Sequence, residues 1–179
     1  LSVLGTYADK LIVAPLFGFT FLGNYQLAFQ ILMILTMISS IVFSYLLPQE
    51  ASGKPHRKLW LVIILIVLVS SILTIVLAPS VLPILMPKYT PAIDLIQIMS
   101  IAAVSMTITL RYTSKFLGNE KSKIVIIGKA VYLSSHIIGI FSIGTIFGIQ
   151  GVAISFVIAS SIEAIYFVTV NRILDNKNK

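Results

Sequence analysis

Six ionisable side chains stand inside long apolar runs of this chain: Asp9, Lys10, Arg111, Lys129, His136 and Glu163. A charged side chain at the centre of a bilayer costs about 2.5–3.5 kcal/mol on insertion scales, so each is expected to face a bundle interior or a water-filled cavity. Polar neighbours recur at helical spacing. Gln97, Ser100, Thr107, Arg111, Ser114 and Gly118 fall at steps of three, four or seven, as do Gly128, Tyr132, Ser135, His136 and Gly139. Lys129 stands at the edge of that second stripe. Residues so spaced share one helix face. Two helices with one polar face each can wall a cavity.

At about 1.5 Å per residue, Arg111, Lys129 and Glu163 lie roughly 9–14 Å from the nearer ends of their runs, with Lys10 at a similar depth. Three cations and one carboxylate at comparable depth predict a net-positive belt, suited to an anionic group such as a phosphate or pyrophosphate. Plainer readings compete with this one. Arg111 and Lys129 can snorkel to an interface on their long stems. Asp9 with Lys10, or Glu163 with Lys129, can be structural pairs, and His136 can be a hydrogen-bonded contact between helices. Gly128, Gly139 and Gly144 read as sites of close helix packing.

The elements that must position these groups follow from composition. Of 179 residues 58% are hydrophobic and 11% charged, against about 25% charged in a typical soluble domain. Mean hydropathy is +1.02. Lipid is the solvent that suits such a chain. Six runs approach the roughly 20 apolar residues a spanning helix needs: about 2–22, 25–48, 58–86, 91–117, 122–147 and 150–172, followed by a polar tail over 173–179. The expected architecture is an all-α membrane protein, a six-transmembrane-helix bundle in a single domain.

The punctuation fits. Gly23-Asn24, the segment 48–55, Pro87–Thr90, Gly118–Lys121 and Gly148–Gly151 separate the runs. Thr90 before Pro91 reads as an N-cap with proline in the first helical position, and Asp94 sits near the positive end of that helix dipole. Pro15 predicts a bend in the first run. Pro79, Pro83, Pro87 and Pro91, every four residues, predict a kinked or partly unwound end to the third.

Charge placement gives orientation. Of 13 Lys and Arg residues, nine fall in three polar segments: Lys54, Arg57 and Lys58; Lys115, Lys121 and Lys123; Arg172, Lys177 and Lys179. The alternate loops hold only Lys88. The positive-inside rule then expects a multi-pass cell-membrane protein with both termini of this segment cytoplasmic. The net charge of +7 lacks the basic face with interleaved aromatics that tracks nucleic acid. Leu1 in place of an initiator Met suggests a piece of a longer chain. Cysteine is absent, and there is no GxxxxGK[ST] phosphate loop, HExxH or nucleophile elbow. The expectation is therefore a non-enzyme without metal or cofactor.

Several stretches resemble the carboxy-terminal half of polysaccharide and oligosaccharide-lipid flippases, within the multidrug/oligosaccharidyl-lipid/polysaccharide exporter superfamily. Asp9-Lys10-Leu11-Ile12, then Leu16-Phe17-Gly18, then Gly23-Asn24-Tyr25-Gln26-Leu27-Ala28 is similar to the family's Asp-basic-Leu-Ile start and Gly-x-Tyr-x-x-Ala helix opening. Ala78-Pro79 with Tyr89-Thr90-Pro91-Ala92 resembles its Ala-Pro and Tyr-x-x-Ala junction, although Pro87-Lys88 stands where many members have Gly. Leu117–Lys121 looks like a cytoplasmic loop of the family, and Gly148–Ile154 like the start of its final core helix. The resemblance implies one lobe of a two-lobed transporter working by alternating access, with a missing amino-terminal lobe as its partner. The implied substrate is a polyprenyl-phosphate or pyrophosphate-linked oligosaccharide drawn from membrane lipid. Lys10, Arg111 and Lys129 would then attract the phosphate, with Gln97, Tyr132, Ser135 and His136 lining the site; Asp9 and Glu163 would be candidates for ion coupling. Two alternatives are a cation-coupled multidrug exporter, which would need a carboxylate-rich cavity, and a membrane scaffold subunit that transports nothing.

Overall fold

In water-free hydrocarbon a backbone must satisfy its own hydrogen bonds, and this chain does so with helices. The structure, a computed structural model, describes residues 18–52 and 57–177. Asp9, Lys10, Pro15 and most of the expected first run lie outside them. Helices α1 (Phe19–Ala51) and α2 (Arg57–Leu85) are followed by a 3-10 turn, Pro87–Ala92. Helices α3 (Ile93–Gly118) and α4 (Ser122–Gly139) come next, then a π-turn, Ile140–Gly144, and α5 (Thr145–Lys177). No strand occurs among the described residues.

Four stretches are long and apolar enough to cross a membrane: Phe21–Gln49, Lys58–Leu85, Pro87–Gly118 and Ser122–Asn176. The chain thus has the make-up of an all-α, multi-pass membrane protein, with four such stretches where six runs are expected. Two things account for the difference. The first run falls largely outside the described residues, and the last two are joined into one helical stretch of 55 residues. That stretch doubles back at Gly148, whose φ of 61° and ψ of −141° break the helix in a region open almost only to glycine. Contacts across the fold confirm the reversal: Lys129 pairs with Glu163 and His136 with Ser155, so the partners run in opposite directions.

α3 is the hub. It packs against α1, α2 and α5, whereas α1 and α2 meet only marginally. Small side chains at Ser100, Ala102, Ala103 and Thr107, all fully buried, let neighbours approach closely. Around them lie Tyr25, Leu32, Trp60, Val67, Leu95, Met99 and Phe156. Asp94 meets Gln150 at 2.9 Å, Ser105 meets Ser161 at 3.2 Å, and Lys115 meets Asn171 at 2.5 Å, each pair 56 residues apart. A constant offset over 21 residues of α3, about 30 Å, means that α3 and α5 run parallel and in step. Leu61, Leu65, Val69, Ile72 and Val76 of α2 point outward, the side a bilayer would cover.

Several boundaries differ from expectation. Gly23-Asn24 does not separate two helices: α1 runs through it from Phe19. At this end of the chain the positive-φ glycine is Gly18, at 88°, and its carbonyl accepts from Leu22 N–H at 3.1 Å. Burial of Tyr25 and Ala28 two turns in outweighs the weak helix propensity of Gly and Asn. Pro48 lies inside α1 rather than starting a loop. Thr90 does not cap the next helix. Its Oγ1 donates to Pro87 O at 2.7 Å, and Ala92 holds the N-cap position without a side-chain bond. Asp94 is in the first turn as expected. The tail is helical to Lys177, steadied by Asn171 donating to Asp175 at 2.9 Å.

α2 continues through Pro79 and Pro83 to Leu85, so unwinding is confined to the turn after Met86. Pro79 has no N–H, which leaves the Ile75 carbonyl without its usual donor four residues on. Gln97 Nε2 donates to that carbonyl at 2.9 Å. One side chain on α3 completes the backbone of α2. Gln97→Ala is expected to lower stability in detergent by about 1–3 kcal/mol. In a Pro79→Ala background the same substitution is expected to cost less than about 0.5 kcal/mol, because the alanine restores an N–H that can donate to the Ile75 carbonyl. Equal losses in both backgrounds, read as unfolding midpoints, would show that the bond does not serve the proline.

Candidate functional site

α4 and α5 come close because glycine faces the partner at two heights. The Phe167 ring of α5 occupies the space a Cβ on Gly128 would need. A Cβ on Gly139 would stand 2.5 Å from Ser155 Cβ. Next to Gly128, Lys129 Nζ meets Glu163 Oε1 at 2.8 Å. The two partners differ sharply in surroundings: the Glu163 side chain is 5% exposed and that of Lys129 41%. The carboxylate is enclosed by the seam while the ammonium has an open flank.

Two turns along α4, an aromatic cluster replaces charge. Tyr132 stacks on His136 at 5.8 Å and meets Phe156 edge-on at 6.0 Å. Phe29 of α1 meets the same Phe156 ring at 6.1 Å. His136 is buried, and its Nδ1 shares a 3.2 Å hydrogen bond with Ser155 Oγ. This makes His136 a bonded contact between α4 and α5. Tyr132 is half-buried at the edge of that cluster. Ser135, also half-buried, lies about 120° round α4 from Lys129.

The α3 stripe divides. Ser100, Thr107 and Ser114 are buried against neighbouring helices. Ser100 donates to Ile96 O at 2.6 Å and Thr107 to Ala103 O at 2.8 Å, and Thr107 also shares a 2.9 Å bond with Ser39 of α1. These hydroxyls are absorbed by packing, so this part of the stripe is not a wet wall. Gln97 is engaged with α2, as described. Arg111 remains half-buried, its guanidinium 5.5 Å from the Tyr112 ring centre and in no ion pair with a described carboxylate. α3 and α4 touch little, with α5 packed against both, so the two expected polar faces do not confront each other.

Register still brings the two cations to similar depth. The 56-residue offset sets Arg111 level with Phe167, about one turn from Glu163, or roughly 6 Å along the axis. At the end of the bundle, Lys115 is held by Asn171 and by Asp175, at 3.2 Å. The sequence alone does not show this clasp, because nothing in it tells that α3 and α5 run in step. No group of three His, Cys, Asp or Glu residues that could hold a metal occurs among the described residues.

Comparison of the chain with known protein families, curated proteins and solved structures finds no match.

Lys129→Ala leaves a carboxylate buried without its counter-ion. Its cost should fall between the roughly 0–1 kcal/mol of an exposed pair and the roughly 3–5 kcal/mol of an enclosed one. Lys129→Ala combined with Glu163→Gln should recover most of it, as a thermal unfolding series can show. Gly139→Ala should cost about 1–3 kcal/mol by wedging α4 from α5; an unchanged midpoint would mean that the seam is loose.

Proposed function

We propose that this chain is the carboxy-terminal lobe of a transporter that flips a polyprenyl-phosphate or pyrophosphate-linked oligosaccharide across the cytoplasmic membrane by alternating access. The observation that carries the reading is Lys129. A cation deep within an apolar helix pair, open on one flank while its carboxylate partner is enclosed, is placed to meet an anion arriving from outside the seam. Arg111, on α3 at a depth about one turn from that of Glu163 and without a carboxylate of its own among the described residues, is a planar donor suited to phosphate oxygens. Tyr132, about one turn along α4 and stacked on His136, supplies an aromatic surface on which a sugar could pack.

In this reading the membrane is crossed six times: by the expected first run, which lies largely outside the described residues, by α1, α2 and α3, and by the two limbs that meet at Gly148. The end carrying Lys115, Lys121 and Arg172 faces the cytoplasm under the positive-inside rule. Asp94 and Gln150 mark the outer end. The related multidrug-exporter reading is less well served, since Glu163, the carboxylate enclosed by the helix pair, is already committed to Lys129.

Two experiments test this. The chain has no cysteine, so single replacements report sidedness directly: Asn119→Cys should react with an impermeant maleimide from the cytoplasmic side, and Lys88→Cys from the outer side. The reverse pattern would overturn the orientation. Proteoliposomes holding the full-length parent should flip a labelled polyprenyl-pyrophosphate oligosaccharide, and Lys129→Ala or Arg111→Ala should lower flux at least tenfold (about 1.4 kcal/mol) while membrane expression changes less. No flux from folded protein, with ethidium efflux that depends on Glu163, would favour the drug exporter. Neither activity, with a stable crosslinked partner, would favour a scaffold.

A further inference from the structure

Lys129 is reachable and Glu163 is not, and this asymmetry has a chemical consequence. An ammonium carries three donors, so an anion can approach Lys129 on its open flank while Glu163 holds the other. Two anions about one ammonium in an apolar wall repel strongly, because little solvent screens them. We propose that Glu163 competes internally for Lys129, so that an anionic group docks on Lys129 only together with one proton, taken up by Glu163. This deepens the reading of Lys129 as an anion site and rests on it.

The empty site holds an ammonium and a carboxylate and is neutral. On binding, the carboxylate accepts a proton from solvent and becomes a carboxylic acid, the ammonium keeps its three protons, and the ligand keeps its charge. With a monoanion the loaded site is again neutral, so no uncompensated charge is left in hydrocarbon, where it would be most costly.

Among the described residues, the surroundings leave Glu163 few other ways to be compensated. On α4 the titratable groups are Lys129 itself, Lys123 near the start of the helix, Tyr132 about one turn off and stacked on His136, and His136, about two turns off and engaged with Ser155. On α3 the nearest is Arg111, about one turn towards the Lys115 end; on α5 it is Tyr166. The Ser39–Thr107 bond sets the height of α1, which offers Thr36 and Ser39 there. The Gln97–Ile75 bond sets that of α2, which offers only the apolar side chains of Leu61–Val69. The ligand class is a singly or doubly charged oxyanion, either a lipid head group or a free anion.

The probes are a saturated isoprenoid sulfate, whose single charge does not titrate, and inorganic sulfate. Binding of each to the full chain in nanodiscs of zwitterionic phospholipid is measured across a series of pH values. The isoprenoid sulfate is expected to bind more weakly as pH rises, approaching tenfold per pH unit where a whole proton is taken up. Glu163→Gln should bind it more tightly and with a flat profile, and Lys129→Ala should not bind it. Calorimetry of the unmodified protein in two buffers of different ionisation enthalpy counts the proton without any variant. Binding of the isoprenoid sulfate alone supports the exchange at a lipid head group; equal binding of inorganic sulfate supports it for a free anion. Binding by the unmodified protein with a flat profile and no proton uptake overturns the exchange and leaves the anion site standing. A pH dependence that persists in Glu163→Gln overturns it in favour of His136. No binding by either protein overturns the anion site beneath it.

Discussion

A carbonyl oxygen in hydrocarbon finds no water to complete its hydrogen bonding, and the architecture of this chain follows from that single constraint. It explains why the described backbone is helical almost throughout, and why Ser and Thr hydroxyls bend back to carbonyls of their own helices, as Ser100 and Thr107 do. It also explains the treatment of proline. The carbonyl that Pro79 strands is served from another helix, so a local defect in α2 becomes a tertiary contact with α3. At Gly148 the chain leaves the helix in a backbone conformation open almost only to glycine. A similar demand governs charge. Glu163 is tolerable inside the fold because α4 brings Lys129 to 2.8 Å, and α4 gets that close because Gly128 and Gly139 carry no side chain.

The two kinds of polar group inside the bundle therefore do different work. Those on the inner faces of α3 are spent on holding helices together and have little left for a ligand. The cations keep spare capacity: Lys129 has an open flank and Arg111 no acidic partner among the described residues. Capacity left over after packing is what distinguishes a binding group from a structural one, and it is a property of the fold rather than of residue type.

Much of the helix layout was legible in sequence because it depends on composition over long windows. The runs at 58–86 and 91–117 are close to α2 and α3, and Gly148–Gly151 marks the reversal. Single-residue punctuation was less reliable. Gly23-Asn24 reads as a break on propensity alone, yet the burial of Tyr25 and Ala28 carries α1 straight through it. The four prolines predict a kinked or partly unwound end; the unwinding falls at Pro87–Ala92 alone, and only the register of α2 against α3 reveals the glutamine that serves the carbonyl stranded by Pro79. Periodicity groups the polar residues of α3 and α4 into stripes, but it does not say what each of them looks at. Thr107 looks at Ser39, and His136 at Ser155. The Lys129–Glu163 pair was visible as one option among several; deciding it required knowing that α4 and α5 are antiparallel and that two glycines lie between them.

The constant spacing between α3 and α5 bears on how the bundle can move. Clasps near both ends and at the middle of these helices share one offset, so sliding either helix by a turn would break all three together. Tilting one against the other would open the outer two in turn. The pair is thus stiff in shear, like two rails bolted at three sleepers. α4 has no such bolts to α3 and adjoins α5 along a glycine-lined seam. Movement of α4 relative to α3 must therefore be carried through that seam, where the Lys129–Glu163 pair and the His136–Ser155 bond join α4 to α5.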